Sequence, residues 1–191
     1  CCKANDRVFF CTCGVGFDAA VSQKFAEEKR RGSLTYIKNT VAEYLSYKPE
    51  PYELLVDNQT IKEKAFLVAC ANASQYGNNA FIAPHANIQD GRMDLTILSP
   101  FTPLDIAPLA IQLFTKQIDR NSKIKTMKAQ QVTIIRQNPG VMHLDGEPVM
   151  ADSRIDISIM PQSLHVVTPE VVSFTEEVHN LFGEVTRFFD K

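Results

Sequence analysis

The chain has 191 residues, with 20 basic and 22 acidic side chains, a formal net charge of −2 and 45% hydrophobic residues. This suits a packed globular core and argues against a dedicated nucleic-acid binder, whose surface would be basic, and against collagen-like, coiled-coil or disordered chains. No apolar run approaches the roughly 18 residues of a spanning helix, and Lys3, Asp6 and Arg7 interrupt the N-terminus before a secretory signal can build, so a soluble cytoplasmic domain is expected.

The first residue is Cys1 rather than Met, so the stretch is expected to come from a longer protein. Four of the five cysteines (Cys1, Cys2, Cys11, Cys13) crowd the first thirteen residues, and Cys70 stands apart. Zinc sites favour C-x2-C pairs with partners at regular distance, a pattern missing here. Small buried reduced thiols are the expectation, with a metal or disulfide site as the alternative. Cys11 and Cys13 lie in one strand-like run, which places them on one face.

Arg7 to Val15 reads as a strand, ended by glycines. Ala19 to Arg31 and Ser33 to Tyr47 read as helices separated at Gly32, with Pro49 stopping the second. Tyr52 to Val56 and Ile61 to Asn72 are strand-like runs around the hairpin pair Asp57-Asn58. A polar loop, Ser74 to Asn79, precedes Phe81-Ile82-Ala83-Pro84. The turn Gln89-Asp90-Gly91-Arg92 leads into a strand over Met93 to Leu98. Thr102-Pro103-Leu104-Asp105 is a helix-start signal, predicting a helix to about Ile118. Ala129 to Arg136 and Val141 to Leu144 are further strands, followed by the turn Asp145-Gly146-Glu147. Arg154 to Met160 alternates like a half-buried strand, with Leu164 to Val167 expected to pair with it across Gln162-Ser163. Thr168-Pro169-Glu170 opens a final apolar-faced helix. Strands cluster without regular helical crossovers, so the expected fold is mainly β with attached helices (α+β), an antiparallel sandwich.

Three groups of residues can carry chemistry. Gly14-Val15-Gly16-Phe17-Asp18-Ala19 matches the dinucleotide fingerprint G-x-G-x-x-G/A, but the second parallel strand of that motif is not in place. The other reading is a tight strand-to-helix turn with Asp18 as a cap. Asp145-Gly146-Glu147, with His143 just before it, puts two carboxylates on one turn, able to hold metal-bound waters or take a proton from a hydroxyl. The same triplet also reads as a plain hairpin turn. The Asp90 carboxylate with the carbonyls of Asn87 and Arg92 would suit a hard cation. Asn72, Tyr76, Gly77, Asn78 and Asn79 form a polar loop open to either a substrate-contact or a plain loop role.

In order along the chain come G-V-G-F-D-A-A-V, two helices separated by Arg30-Arg31-Gly32-Ser33, A-N-A-S-Q-Y-G-N-N, I-A-P-H-A-N-I-Q-D-G-R-M-D-L and H-L-D-G-E-P. This set resembles diacylglycerol kinase-like lipid kinases, which include sphingosine kinases and bacterial YegS/BmrU-type lipid kinases. The match spans Arg7 to Pro169. The resemblance implies the C-terminal, substrate-binding β-sandwich domain over residues 1–169, with a C-terminal helix over 170–191. This domain would face an N-terminal domain that carries a G-G-D-G-T nucleotide loop, a motif absent from this sequence. The implied reaction is ATP- and Mg²⁺-dependent phosphorylation of a lipid hydroxyl in the cleft between the two.

By that similarity Glu147 accepts or orients the hydroxyl proton, with an acid of the nucleotide loop as the competing base. Asp145 holds the metal-and-water network. Gly146 and Asn72 would meet substrate or nucleotide. Asp18 falls near a head-group acid of the sphingosine kinases, although the spacing into the next helix differs. Asp90, with the carbonyls of Asn87 and Arg92, matches a structural Mg²⁺ site of bacterial members. His143 stands where many relatives carry a small polar residue. The implied partners are a lipid substrate, a transient bilayer contact and the N-terminal domain of the same protein, with no nucleic acid and a homodimer left open. Glu176, Glu177 and Glu184 on the final helix oppose anionic lipid, so that helix is expected to pack on protein. The alternative is a lipid-binding or regulatory module that kept the fold and lost catalysis.

Overall fold

The computed structural model describes residues 1–27, 44 and 47–167. Its strands, in chain order, are β1 (Cys2–Ala4), β2 (Arg7–Phe9), β3 (Thr12–Gly16), β4 (Glu50–Val56), β5 (Gln59–Ala65), β6 (Leu67–Ala71), β7 (Met93–Leu98), β8 (Ile124–Ala129), β9 (Gln131–Arg136), β10 (Gly140–Leu144), β11 (Glu147–Ala151) and β12 (Arg154–Ile159). Among the described residues, the helices α1 (Phe17–Glu27) and α2 (Ile106–Phe114) accompany them. The first sheet has the order β2-β1-β12-β9-β4-β5 and the second β11-β10-β3-β6-β7-β8. The pairings between neighbouring strands are antiparallel throughout.

Burial explains the two kinds of strand pattern. In β4, Tyr52, Leu54 and Val56 point inward while Glu50, Pro51, Glu53 and Leu55 are less covered, the period of two expected of a sheet wetted on one face. The edge strand β5 carries Lys62, Glu63 and Lys64, charges that discourage pairing with another chain. By contrast, β6 and β7 are buried at every position, because the second sheet is covered on both faces. Its inner face meets the first sheet in one core that includes Leu54, Val68, Leu95, Ile134, Leu144 and Ile155. Its outer face forms a second cluster with Phe66, Leu67, Ile82 and Leu109.

The apolar run from Arg7 to Val15, expected as one strand, is two strands in different sheets, β2 and β3, broken at Phe10–Cys11. The break is held by a carboxylate described below. It also puts Cys11 and Cys13 in different surroundings, one exposed and one buried, so they do not share a face. The run from Ile61 to Asn72 likewise divides at Phe66, where the chain crosses from β5 in the first sheet to β6 in the second. There the Phe66 N–H bonds Leu98 and its carbonyl receives the Phe17 N–H. Strands β1, β8 and β11 add to those expected from the sequence.

Past the predicted start at Thr102 the chain makes a 3-10 turn over Pro103–Asp105, and α2 ends at Phe114, short of Ile118. The Asp105 carboxylate accepts both the Thr102 N–H and its hydroxyl at 2.8 Å, fixing that start. Leu164 to Val167 forms no strand. The turn at Gln162-Ser163 closes on itself instead, with Ser163 Oγ donating to the Met160 carbonyl at 2.6 Å. The predicted helix over Ser33 to Tyr47, all but Tyr44 and Tyr47, and the final helix lie outside the described residues.

Candidate functional site

One end of the second sheet collects most of the residues singled out by sequence. Register places Leu144 opposite Cys13, Thr12 opposite Ala71, Ala71 opposite Asp94, and Asp94 opposite Lys128. The β10–β11 turn, the start of β3, the residue after β6, the start of β7 and the end of β8 therefore form a row along one rim.

The β10–β11 turn is a two-residue hairpin. Asp145 (φ 50°) and Gly146 (φ 87°) both adopt the left-handed region, as a primed turn requires, and Asp-Gly is a favoured pair for it. Asp145, Gly146 and Glu147 are exposed. The Asp145 carboxylate turns back onto the preceding crossover: Oδ2 accepts the Phe10 N–H at 2.7 Å, and Oδ1 accepts those of Cys11 at 2.7 Å and Thr12 at 2.9 Å. These bonds take the amides of the β2–β3 break out of any ladder and fasten the turn to it. Asp145 is thus first an anchor of the turn. Glu147, the opening residue of β11, pairs with Leu144 through the backbone, and its carboxylate makes no hydrogen bond or ion pair with the described residues.

Beneath this turn lies His143, 1% exposed. Met142 and Leu144 face the inter-sheet core, so the alternation of β10 sends His143 to the other face, under α1. Its Nε2 is 3.0 Å from Asp18 Oδ2, which also accepts the Tyr76 hydroxyl at 2.9 Å. The Gly146 N–H points at His143 Nδ1 over a long 3.4 Å. An N–H aimed at Nδ1 requires a lone pair there, which places the ring proton on Nε2, toward Asp18. Asp18 is therefore a part-buried support for the histidine, its Oδ2 shared by His143 and Tyr76.

The glycines of the fingerprint serve the same packing. A Cβ at Gly14 would collide with Asp18 Oδ2 and lie 2.9 Å from His143 Nε2, while one at Gly16 would lie 2.7 Å from the Phe66 carbonyl. With an antiparallel sheet around them, they let α1 approach the sheet, and the dinucleotide reading is replaced by this one.

Asn72 is buried at the end of β6. Its Nδ2 donates to the Phe10 carbonyl at 2.8 Å and its N–H to the Cys11 carbonyl at 2.8 Å. Among the described residues its Oδ1 has no donor within hydrogen-bond reach. Asn72 and Asp145 thus grip the same Phe10–Thr12 segment from two sides, bringing together Asn72, Asp145, Gly146 and Glu147.

Asp90 stands further along the rim. Its Oδ1 accepts the Arg92 N–H at 2.9 Å, and its N–H reaches the Asn87 carbonyl at 3.3 Å. Its Oδ2 is already paired, with Lys128 Nζ at 2.6 Å. Partial burial would push the Asp90 carboxyl up, but the Lys128 ammonium and the Arg92 N–H together hold it below the usual carboxylate range. With that ammonium on the carboxylate, Asn87, Asp90 and Arg92 do not fit a divalent cation. Among the described residues no cluster of three His, Cys, Asp or Glu is arranged to hold a metal.

All five cysteines are free thiols. Burial pushes Cys2 up to about 12 and raises Cys13 well above its ordinary value, so neither is a ready thiolate. Sequence reasoning missed Lys128 and the amides of Phe10, Cys11 and Thr12. Backbone donors carry no signature in the residue letters, and no strand is expected at Lys128, so nothing in the sequence sets it opposite Asp94.

The family model described as the YegS C-terminal NAD kinase beta sandwich-like domain matches residues 11–168. The curated protein "Probable lipid kinase YegS-like" of Shewanella frigidimarina is 25% identical over 169 residues, covering 87% of this chain and 54% of that protein. A diacylglycerol kinase of Mycobacterium tuberculosis (strain H37Rv) is 26% identical over 171 residues, covering 86% and 53%. The chain spans about half the length of these relatives. A crystal structure of a diacylglycerol kinase from Bacillus anthracis strain Sterne superposes with a TM-score of 0.52 at 17% identity, over 83% of this chain and 49% of that one, a likeness of fold.

Proposed function

Because this chain belongs to the family of the YegS C-terminal NAD kinase beta sandwich-like domain, we propose that it is the substrate-facing half of an ATP-dependent lipid kinase. The relatives named as lipid and diacylglycerol kinases support this reading, and their additional length is where a nucleotide site would lie. The observation that carries it is the exposed Asp145-Gly146-Glu147 turn, pinned by three backbone bonds to Asp145 while the Glu147 carboxylate stays unengaged.

A lipid hydroxyl placed beside Glu147 would attack the γ-phosphorus of ATP. The new bond forms from that oxygen, the bond from the γ-phosphorus to the bridging oxygen breaks, ADP leaves, and the hydroxyl proton passes to the Glu147 carboxylate. In a loose transition state the proton departs late, so a positioned carboxylate serves even though it is a weak base. Asp145 and Asn72 keep the turn still, which matters because misplacing the acceptor by about 1 Å can cost about a hundredfold in rate. A lipid substrate requires contact with a bilayer. No described helix is long and apolar enough to cross one, so the contact in this reading is peripheral.

The test is ATP-dependent phosphate transfer by the intact protein to vesicles holding diacylglycerol, a sphingoid base or phosphatidylglycerol. Glu147→Gln should lower kcat at least about a hundredfold with an unchanged melting temperature. Full turnover by Glu147→Gln would remove its role. Lipid binding without phosphate transfer by the wild type would favour the non-catalytic module.

A further inference from the structure

We propose that the ammonium of Lys128 is a built-in cation that locks the loop of residues 85–92 onto the sheet in place of a metal ion. Three acceptors surround it: Asp90 Oδ2 at 2.6 Å, Asp94 Oδ2 at 3.2 Å and the His85 carbonyl at 3.4 Å. Two of them, Asp90 Oδ2 and the His85 carbonyl, accept hydrogen bonds from the ammonium, while the buried Asp94 Oδ2 pairs with it by charge without an aligned hydrogen bond. Asp94 and Lys128 face each other across β7 and β8, and from there the side chain reaches past the strand end to the loop.

The loop is already folded for capture. Asn87 Oδ1 accepts the Gln89 N–H at 2.9 Å, the Asn87 carbonyl the Asp90 N–H, and Asp90 Oδ1 the Arg92 N–H. His85 Nε2 fastens the other side, 3.3 Å from Asp119 Oδ2. What remains to be neutralised is the pair of carboxylates on Asp90 and Asp94, one of them on a residue only 7% exposed. A divalent cation would bring six or more oxygens to about 2.0–2.6 Å and would have to displace the ammonium or sit against its charge. Lys128 supplies the compensating charge from within the chain. Asp94 is paired with Ala71, the residue before Asn72, so the lock steadies the strand end next to the candidate site.

Thermal unfolding of the intact protein without nucleotide tests this independently of any kinase activity. The wild type should melt within about 1 °C of the same temperature in EDTA and in millimolar Mg²⁺, and calorimetric titration of Mg²⁺ should show no saturable binding. Lys128→Met should melt several degrees lower in EDTA and be restored by Mg²⁺, because it frees two carboxylates and a carbonyl. Adding Asp90→Asn to that variant should abolish the restoration. Saturable Mg²⁺ stabilisation or binding in the wild type would overturn the proposal, even if Lys128→Met did not fold. So would a Lys128→Met variant as stable as wild type in EDTA, or a destabilised one that Mg²⁺ leaves unchanged.

Discussion

Thr12 and Asp145 are bonded to each other twice. The Thr12 N–H donates to Asp145 Oδ1 at 2.9 Å, and the Asp145 N–H donates to the Thr12 carbonyl at 2.8 Å. The reciprocal pair joins the tip of the β10–β11 hairpin to the point where the chain leaves the first sheet for the second. A residue beside a candidate catalytic carboxylate is thereby also a structural clasp.

The clasp makes Asp145 separable from Glu147 by experiment. Asp145→Ala removes the acceptor of three amides, those of the exposed Phe10 and Cys11 and of the buried Thr12, so the expected loss is about 1–2 kcal/mol, or roughly 3–6 °C in melting temperature. Asp145→Asn keeps one oxygen acceptor and should lose less. Thermal melts of both variants check this, and an Asp145→Ala protein that melts with the wild type would show that the three bonds do not hold the turn.

The glycines give a sharper expectation. Gly16 sits at φ +104°, and a side chain there would also press on the Phe66 carbonyl, which is backbone and already receives the Phe17 N–H. Gly16→Ala should cost at least about 2 kcal/mol. Gly14→Ala would displace Asp18 from His143, and its signature should be local. The imidazole resonances of His143 should shift in NMR spectra of Gly14→Ala while those of His85, beside Lys128 at the other edge of the sheet, stay in place.

The architecture was legible because burial leaves a period. β4 and β12 alternate, β6 and β7 are continuous, and both patterns stand in the letters once one knows that a sheet can be wetted on one face or covered on two. Sheet crossings were not legible. At Phe10–Cys11 and at Phe66 the apolar run continues without a Gly or Pro, and the break comes from bonds to Asp145, far along the sequence, and to Leu98 and Phe17. The Asp-Gly turn and its two acids could be found as a motif, whereas the charge on Asp90 could not, since its partner lies 38 residues away on another strand.

Arg136 closes the opposite end of the β10–β11 hairpin. Its guanidinium donates to the carbonyls of Gly140 at 2.7 Å, Ala151 at 2.9 Å and Val141 at 3.0 Å, from a residue 7% exposed. A planar fork is needed to reach carbonyls on both strands at once, so Arg136→Lys is not conservative. Arg136→Met should cost about 3 kcal/mol, and Arg136→Lys should recover less than half of it. Denaturant melts give both values, and equal stability of Arg136→Lys and wild type would contradict the fork.

The cluster around Lys128 has a defined dependence on pH. Asp90 is held below the usual carboxylate range, so its contribution to stability is present above its unfolded value and is lost as pH falls through the lower folded one. Lys128 is raised, chiefly by its bond to Asp90, so its contribution is present below the unfolded lysine value and is lost only as pH climbs through the raised one. Asp94 has the opposite sign. Burial raises it despite Lys128, which costs stability at neutral pH that is recovered as the group protonates on acidification. The stability advantage of wild type over Lys128→Met should therefore be flat from about pH 5 to 9 and shrink below about pH 4, where Asp90 takes up its proton. Differential scanning calorimetry at unit pH steps reads this directly. An advantage that persists undiminished at pH 2 would mean that the Lys128 stem, by packing along β8, rather than its charge, holds the loop.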